Sequence, residues 1–168
     1  MKSLANEPAP NQQGDTMDQQ HAPSRDAIRI GRIEIRYLID GSGAGHAGLF
    51  EMTLPPQSNV PPAHSHVDAE ELLYVLEGRL RHSADGRERD LGPGDCAFTP
   101  KGAVHGFSNP FTDTVRTLTV LTPDIGAGYF REVAAVVNAG GPPDRARLLA
   151  VMTRHGLRPG GPAPASSS

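Results

Sequence analysis

The run His64-Ser65-His66-Val67-Asp68-Ala69-Glu70-Glu71-Leu72-Leu73-Tyr74-Val75-Leu76-Glu77-Gly78 joins two patterns in fifteen residues. Its first three residues set two imidazoles two positions apart, and on an extended backbone such side chains project to one face. From Glu71 onward Leu, Val and Tyr dominate, the composition of a strand, and Gly78 ends it. Pro55-Pro56 and Pro61-Pro62 bracket the loop that enters the histidines and stiffen it. Two imidazoles and a carboxylate, with no sulfur, suit one divalent transition metal ion among Fe, Ni, Mn, Co and Zn. Taken alone, a His-x-His pair is weak evidence, and ligand type does not choose among these metals.

The surrounding chain reads as short strands. Ile33, Ile35, Tyr37 and Ile39 alternate with other residues at period two, and Gly41-Ser42-Gly43-Ala44-Gly45 ends that run. Further strands are expected over about 47–54, 79–83, 87–91, 96–99, 104–108 and 115–121, with Ala84-Asp85-Gly86 as a hairpin turn. Strand and turn alternate roughly every eight to twelve residues, the rhythm of an all-β body. Past Pro123 the period changes to a helical one at Tyr129, Phe130, Val133, Val136 and Val137, and again at Leu148, Leu149, Val151 and Met152, with Asp144 placed to cap the second helix. The expected architecture is antiparallel β with two short C-terminal helices.

A second run, Gly94-Asp95-Cys96-Ala97-Phe98-Thr99-Pro100-Lys101-Gly102-Ala103-Val104-His105-Gly106-Phe107-Ser108-Asn109, carries Gly, Pro, Gly, His and Asn at spaced positions. Together the two runs resemble the two motifs of the cupin superfamily, over about residues 47–122. The resemblance implies a jelly-roll β-barrel and a metal held by His64, His66, Glu71 and His105. Glu71 rather than Glu70 takes the carboxylate position because it stands at the family's spacing from Gly78. One departure is Ser58, where the first motif usually opens with glycine.

Within the superfamily the chain looks like the quercetin dioxygenase-like metal cupins. That likeness implies a dioxygenase-like oxidoreductase acting on a small enolisable or aromatic oxygenated compound, with Glu71 as catalytic base. The alternatives are a non-redox isomerase, cyclase or lyase using the ion as a Lewis acid, and a non-catalytic cupin that binds a small ligand. Family habit also implies a homodimer, with residues 28–39 as the candidate segment.

By alternation from Glu71 and His105, the residues Leu73 and Phe107 face inward; Phe50, Met52 and Phe98 are further apolar candidates for a substrate pocket. His46, His82 and His155 lie outside both motifs and are expected at the surface. Cys96 is expected to be a small buried residue, Asn109 to fix a turn, and the Tyr129/Phe130 helix to pack on an outer face of the sheet.

Residues 1–26 hold four Gln and three Pro with scattered apolar side chains, and are expected to be a disordered tail. The barrel is expected over 27–123, a helical extension of the same domain over 124–158, and a second loose tail over 159–168. A formal net charge of -3 offers no electrostatic reason for nucleic acid or an anionic membrane as partner. One cysteine excludes an internal disulfide and a thiolate-rich zinc site. The first residues lack a secretory apolar run, so the expected setting is the cytoplasm and the expected partner a small-molecule substrate.

Overall fold

Alternation of buried and exposed side chains builds the strands of a computed structural model that describes residues 27–59 and 62–160. In chain order these are β1 (Ile28–Ile30), β2 (Ile33–Ile39), β3 (Gly48–Leu54), β4 (Ser58–Asn59), β5 (His64–His66), β6 (Glu70–Glu77), β7 (Leu80–Ala84), β8 (Arg87–Leu91), β9 (Cys96–Thr99), β10 (His105–Asn109) and β11 (Val115–Thr122). Helices α1 (Ala127–Val137) and α2 (Arg145–Arg154) follow, then β12 (Leu157–Pro159). Asp144 caps α2 by accepting a hydrogen bond from the Arg147 backbone N–H at 3.1 Å.

One sheet runs β1-β2-β3-β11-β6-β9, the other β12-β5-β10-β7-β8 with β4 also against β10, and every pairing is antiparallel. From β5 onward the chain crosses repeatedly between the sheets, as a jelly roll does. The core lies between them. On β3 the residues Phe50, Met52 and Leu54 are buried, and on β11 Val115, Thr117, Thr119 and Leu121, each set at period two. Burying each large apolar side chain here contributes about 1.5–3 kcal/mol.

Register explains why the motif glycine at Gly78 admits nothing larger. Its φ is +75°, and a Cβ there would lie 2.4 Å from the Thr114 carbonyl oxygen, so the β6–β7 link presses directly on the start of β11. Among the described residues no helix is long and apolar enough to cross a membrane.

Several expectations need correction. Phe98 is 58% exposed, and Cys96 beside it is exposed as well. The cause is the β6–β9 register, which sets Thr99 opposite Glu71 and Ala97 opposite Leu73, so Ala97 and Thr99 take the inward parity. His82, expected at the surface, is buried, because β7 turns Leu80 and His82 inward together. Strand β6 begins at Glu70, one residue before the strand expected from Glu71 onward. Residue 159, expected to open a loose tail, lies in β12: Leu157 is buried and pairs with His66, and Pro159 pairs with His64. The Gly160 N–H then donates to the Ala63 carbonyl at 2.6 Å. The expectations for 1–26 and 161–168 lie outside the described residues.

Candidate metal centre

Strands β5 and β10 are neighbours, and their register sets His64 directly opposite His105. His66 follows two residues on, so its ring joins theirs on the inner face of the same sheet. The ring centroids are 4.6 Å apart for His64–His105, 5.1 Å for His64–His66 and 5.2 Å for His66–His105. One nitrogen from each lies within 4.8 Å of the others, so the three imidazoles are positioned to hold a metal ion. Glu71 comes from β6 on the opposite sheet, with Oε2 3.5 Å from His66 Nε2 and Oε1 3.6 Å from His105 Nε2. All four side chains are buried. The Gly102 N–H donates to the His66 carbonyl at 2.8 Å, tying the turn of the second motif to the first.

Hydrogen bonding leaves the metal-facing atoms free. Nδ1 of His64 lies 3.2 Å from the Pro62 carbonyl and Nδ1 of His105 3.2 Å from the Ala103 carbonyl. A carbonyl only accepts, so each contact places the proton on Nδ1 and leaves Nε2 with its lone pair. Both nitrogens of His66, Nε2 of His105 and Oε1 of Glu71 have no hydrogen-bond partner. Such buried orphans are costly, and a cation among them would pair the lone pairs that converge there. The donor set of nitrogen and carboxylate oxygen therefore fits a divalent transition ion, of an identity the donors do not fix.

The same crowding shifts the titrations. Burial, and then the positive charge of protonated His105 and His66, pushes the His64 imidazole down to about 4. Burial raises Glu71, but the His105 and His66 imidazoles beside it outweigh burial and hold its carboxyl below the usual range. Burial lowers His105, yet Glu71 outweighs that and its imidazole titrates above the ordinary value.

A cavity of about 40 Å³ adjoins His64, His66 and Glu71. Of the residues expected in a pocket, Phe50, Met52 and Phe107 line it. Leu73 is buried opposite Thr119 but does not itself line this cavity, and Phe98 is exposed. Tyr129, Phe130 and Val133 also line it, so α1 caps the barrel mouth instead of covering an outer face. This corrects the expected placement of α1, whose helical period shows an apolar face but not where it docks. Burial, then the charge of Glu71, raises the Tyr129 phenol.

Thr119 is a cavity residue the sequence reading missed; its buried hydroxyl has no partner. Its inward parity on β11 was available from the alternation of Val115, Thr117, Thr119 and Leu121. His82 was missed too: it sits opposite Phe107 and its Nε2 has no partner. Burial lowers the His82 imidazole.

A family model described as a cupin domain matches residues 50–121. An oxalate-binding protein of Thermotoga maritima is 30% identical over 93 residues, spanning 54% of this chain and 76% of that protein. Among solved structures, a predicted oxalate decarboxylase from Thermotoga maritima superposes with a TM-score of 0.53 at 26% identity, covering 61% of this chain and 92% of the other. A RmlC-like cupin from Shewanella frigidimarina has a TM-score of 0.51 at 20% identity, covering 59% and 84% respectively, and shares the fold.

Proposed function

This chain belongs to the cupin superfamily, and we propose that it is a metal-dependent enzyme of dioxygenase type acting on a small enolisable or aromatic oxygenated compound. The observation that carries the proposal is the buried Glu71 carboxyl group within 3.6 Å of two ring nitrogens of a three-histidine cluster, at the wall of a largely apolar cavity. His64, His66 and His105 would hold the ion, with Glu71 as the fourth ligand. The ion, when bound, supplies Lewis-acid polarisation of a substrate oxygen and a meeting place for substrate and dioxygen.

The remaining work falls to the chain. Glu71 takes the proton of a substrate hydroxyl or of an acidic C–H and holds it at a carboxylate oxygen, leaving an electron-rich anion. Phe50, Met52 and Phe107 exclude water from that anion, which lowers the local dielectric and strengthens its electrostatic contacts. Backbone carbonyls at Pro62 and Ala103 keep His64 and His105 in the tautomer with Nε2 facing inward.

A second reading is a non-redox reaction, such as isomerisation or carbon–carbon cleavage, begun by the same proton removal. The resemblance to a protein described as a predicted oxalate decarboxylase favours it. The test is metal analysis of the purified protein, anaerobic reconstitution with Fe(II), Ni(II), Mn(II) or Zn(II), and oxygen-uptake assays with diketones, flavonols and catechols. Oxygen consumption with a redox-active ion and none with zinc supports the dioxygenase reading. Substrate conversion without oxygen uptake overturns it in favour of the second.

A further inference from the structure

The cavity beside Glu71 offers about 40 Å³, far less than a small-molecule pocket usually provides, so the body of a substrate needs space elsewhere. A larger groove of about 310 Å³ lies outside it, between the β1–β2 edge and the two helices. That volume is at the lower end of the ~300–1,000 Å³ usual for small-molecule pockets. Ile30, Ile33, Tyr129 and Val133 border both spaces, so the partition between them consists of these four residues. Beyond the partition the groove floor is apolar, made by Val137, Leu148 and Met152.

The charges are distributed unevenly. Among the described residues that line the inner cavity there is no Lys or Arg; its polar groups are His64, His66, Glu71 and Thr119. On the groove, Arg32 sits at the rim and its guanidinium donates to the Pro56 carbonyl and, at 3.4 Å, to the Ser58 hydroxyl, so it is already tied to the β3–β4 corner.

We propose that the substrate is bound in two compartments: an oxygen-bearing head in the inner cavity against Thr119 and Glu71, and an apolar body in the groove under α1 and α2. The inference rests on the metal-site reading for the head group alone; the groove stands on its own geometry. The buried Thr119 hydroxyl, lacking a protein partner, donates to an oxygen of the head. The partition side chains rotate aside to join the two spaces, and the substrate class is an enolisable compound with a hydrocarbon extension.

The experiment uses zinc-loaded protein and calorimetric titration with pentane-2,4-dione, heptane-2,4-dione and nonane-2,4-dione. Affinity should rise about fourfold per added methylene. Leu148→Glu, and separately Val137→Asp, should flatten that rise, while zinc stoichiometry reports an intact barrel. Equal affinity along the series, or an undiminished rise in both variants, would overturn the proposal. If zinc does not bind, the metal reading fails, and nonan-2-one titrated into the metal-free protein tests the groove separately. Binding that Leu148→Glu removes supports the groove, and absence of binding overturns it.

Discussion

Replacing Glu71 with Gln keeps the side-chain volume and removes one negative charge from between two imidazoles. In the metal-free protein its carboxylate oxygens stand 3.5 Å from His66 Nε2 and 3.6 Å from His105 Nε2. At an effective dielectric of about 20, a unit charge pair at the latter distance interacts by about 4–5 kcal/mol, which is a ceiling because the Gln carbonyl retains part of the attraction. With about 1.4 kcal/mol per pH unit, the proton on His105 should be released roughly one to three pH units lower in the variant. The direction follows from the balance in the native protein: burial lowers His105, and Glu71 overcomes it. With the carboxylate gone, burial acts unopposed by that charge, so His105 should fall below its ordinary 6.5. The measurement is an NMR titration of imidazole ring protons in metal-free wild type and Glu71→Gln, with His105→Asn to assign the resonance. A His105 midpoint that stays in place would mean that the carboxylate does not face this ring, and the geometry on which Glu71 is proposed as base would be wrong. In the loaded enzyme the same substitution should reduce kcat/KM by about 10²–10⁴, the usual share of a general base.

Two other outcomes follow from buried polar groups. His64 titrates at about 4 in the folded protein against 6.5 for the free side chain, so the unfolded state binds its proton more tightly, and metal-free stability should fall as pH drops from about 6.5 to 4, by up to about 3 kcal/mol. Urea unfolding at pH 7 and 4.5 should show a shallower loss in His64→Asn; an equal loss in both proteins refutes the assignment. Asn109 Nδ2 donates to the carbonyls of Leu54 (3.0 Å), Pro55 (3.1 Å) and Asp113 (2.8 Å), while its Oδ1 accepts from the Phe111 N–H (3.1 Å). Asn109→Ala strands these buried groups and should cost about 2–4 kcal/mol, lowering Tm by roughly 5–15 °C at about 2–4 °C per kcal/mol for a chain of this size. A change below about 2 °C by calorimetry would contradict that role.

The glycines, prolines and histidines of the two motifs were legible before any coordinates because their meaning is local. Two residues apart on a strand is one face by geometry, so His64-Ser65-His66 states its own projection. The alternation along β2 and β3, the helical periods of α1 and α2, and the Asp144 cap are likewise local, set within one or two turns or pleats of the chain.

The errors have a common cause. Alternation tells which side chains share a face but not which face closes on the core, because that depends on the partner strand. Phe98 looks as suitable as Ala97 until Glu71↔Thr99 pairing turns Ala97 inward, and His82 looks like a turn histidine until β7 pairs with β10 opposite Phe107. In the same way α1 declares an apolar stripe, and its docking over the barrel mouth depends on contacts with β1, far away in sequence. The sequence therefore carries the motif residues and the local elements, whose physics is short-ranged. The meeting of His105 with His64, the arrival of Glu71 from the opposite sheet and the closing of the cavity by Tyr129 and Phe130 belong to the fold, because each depends on long-range register and packing.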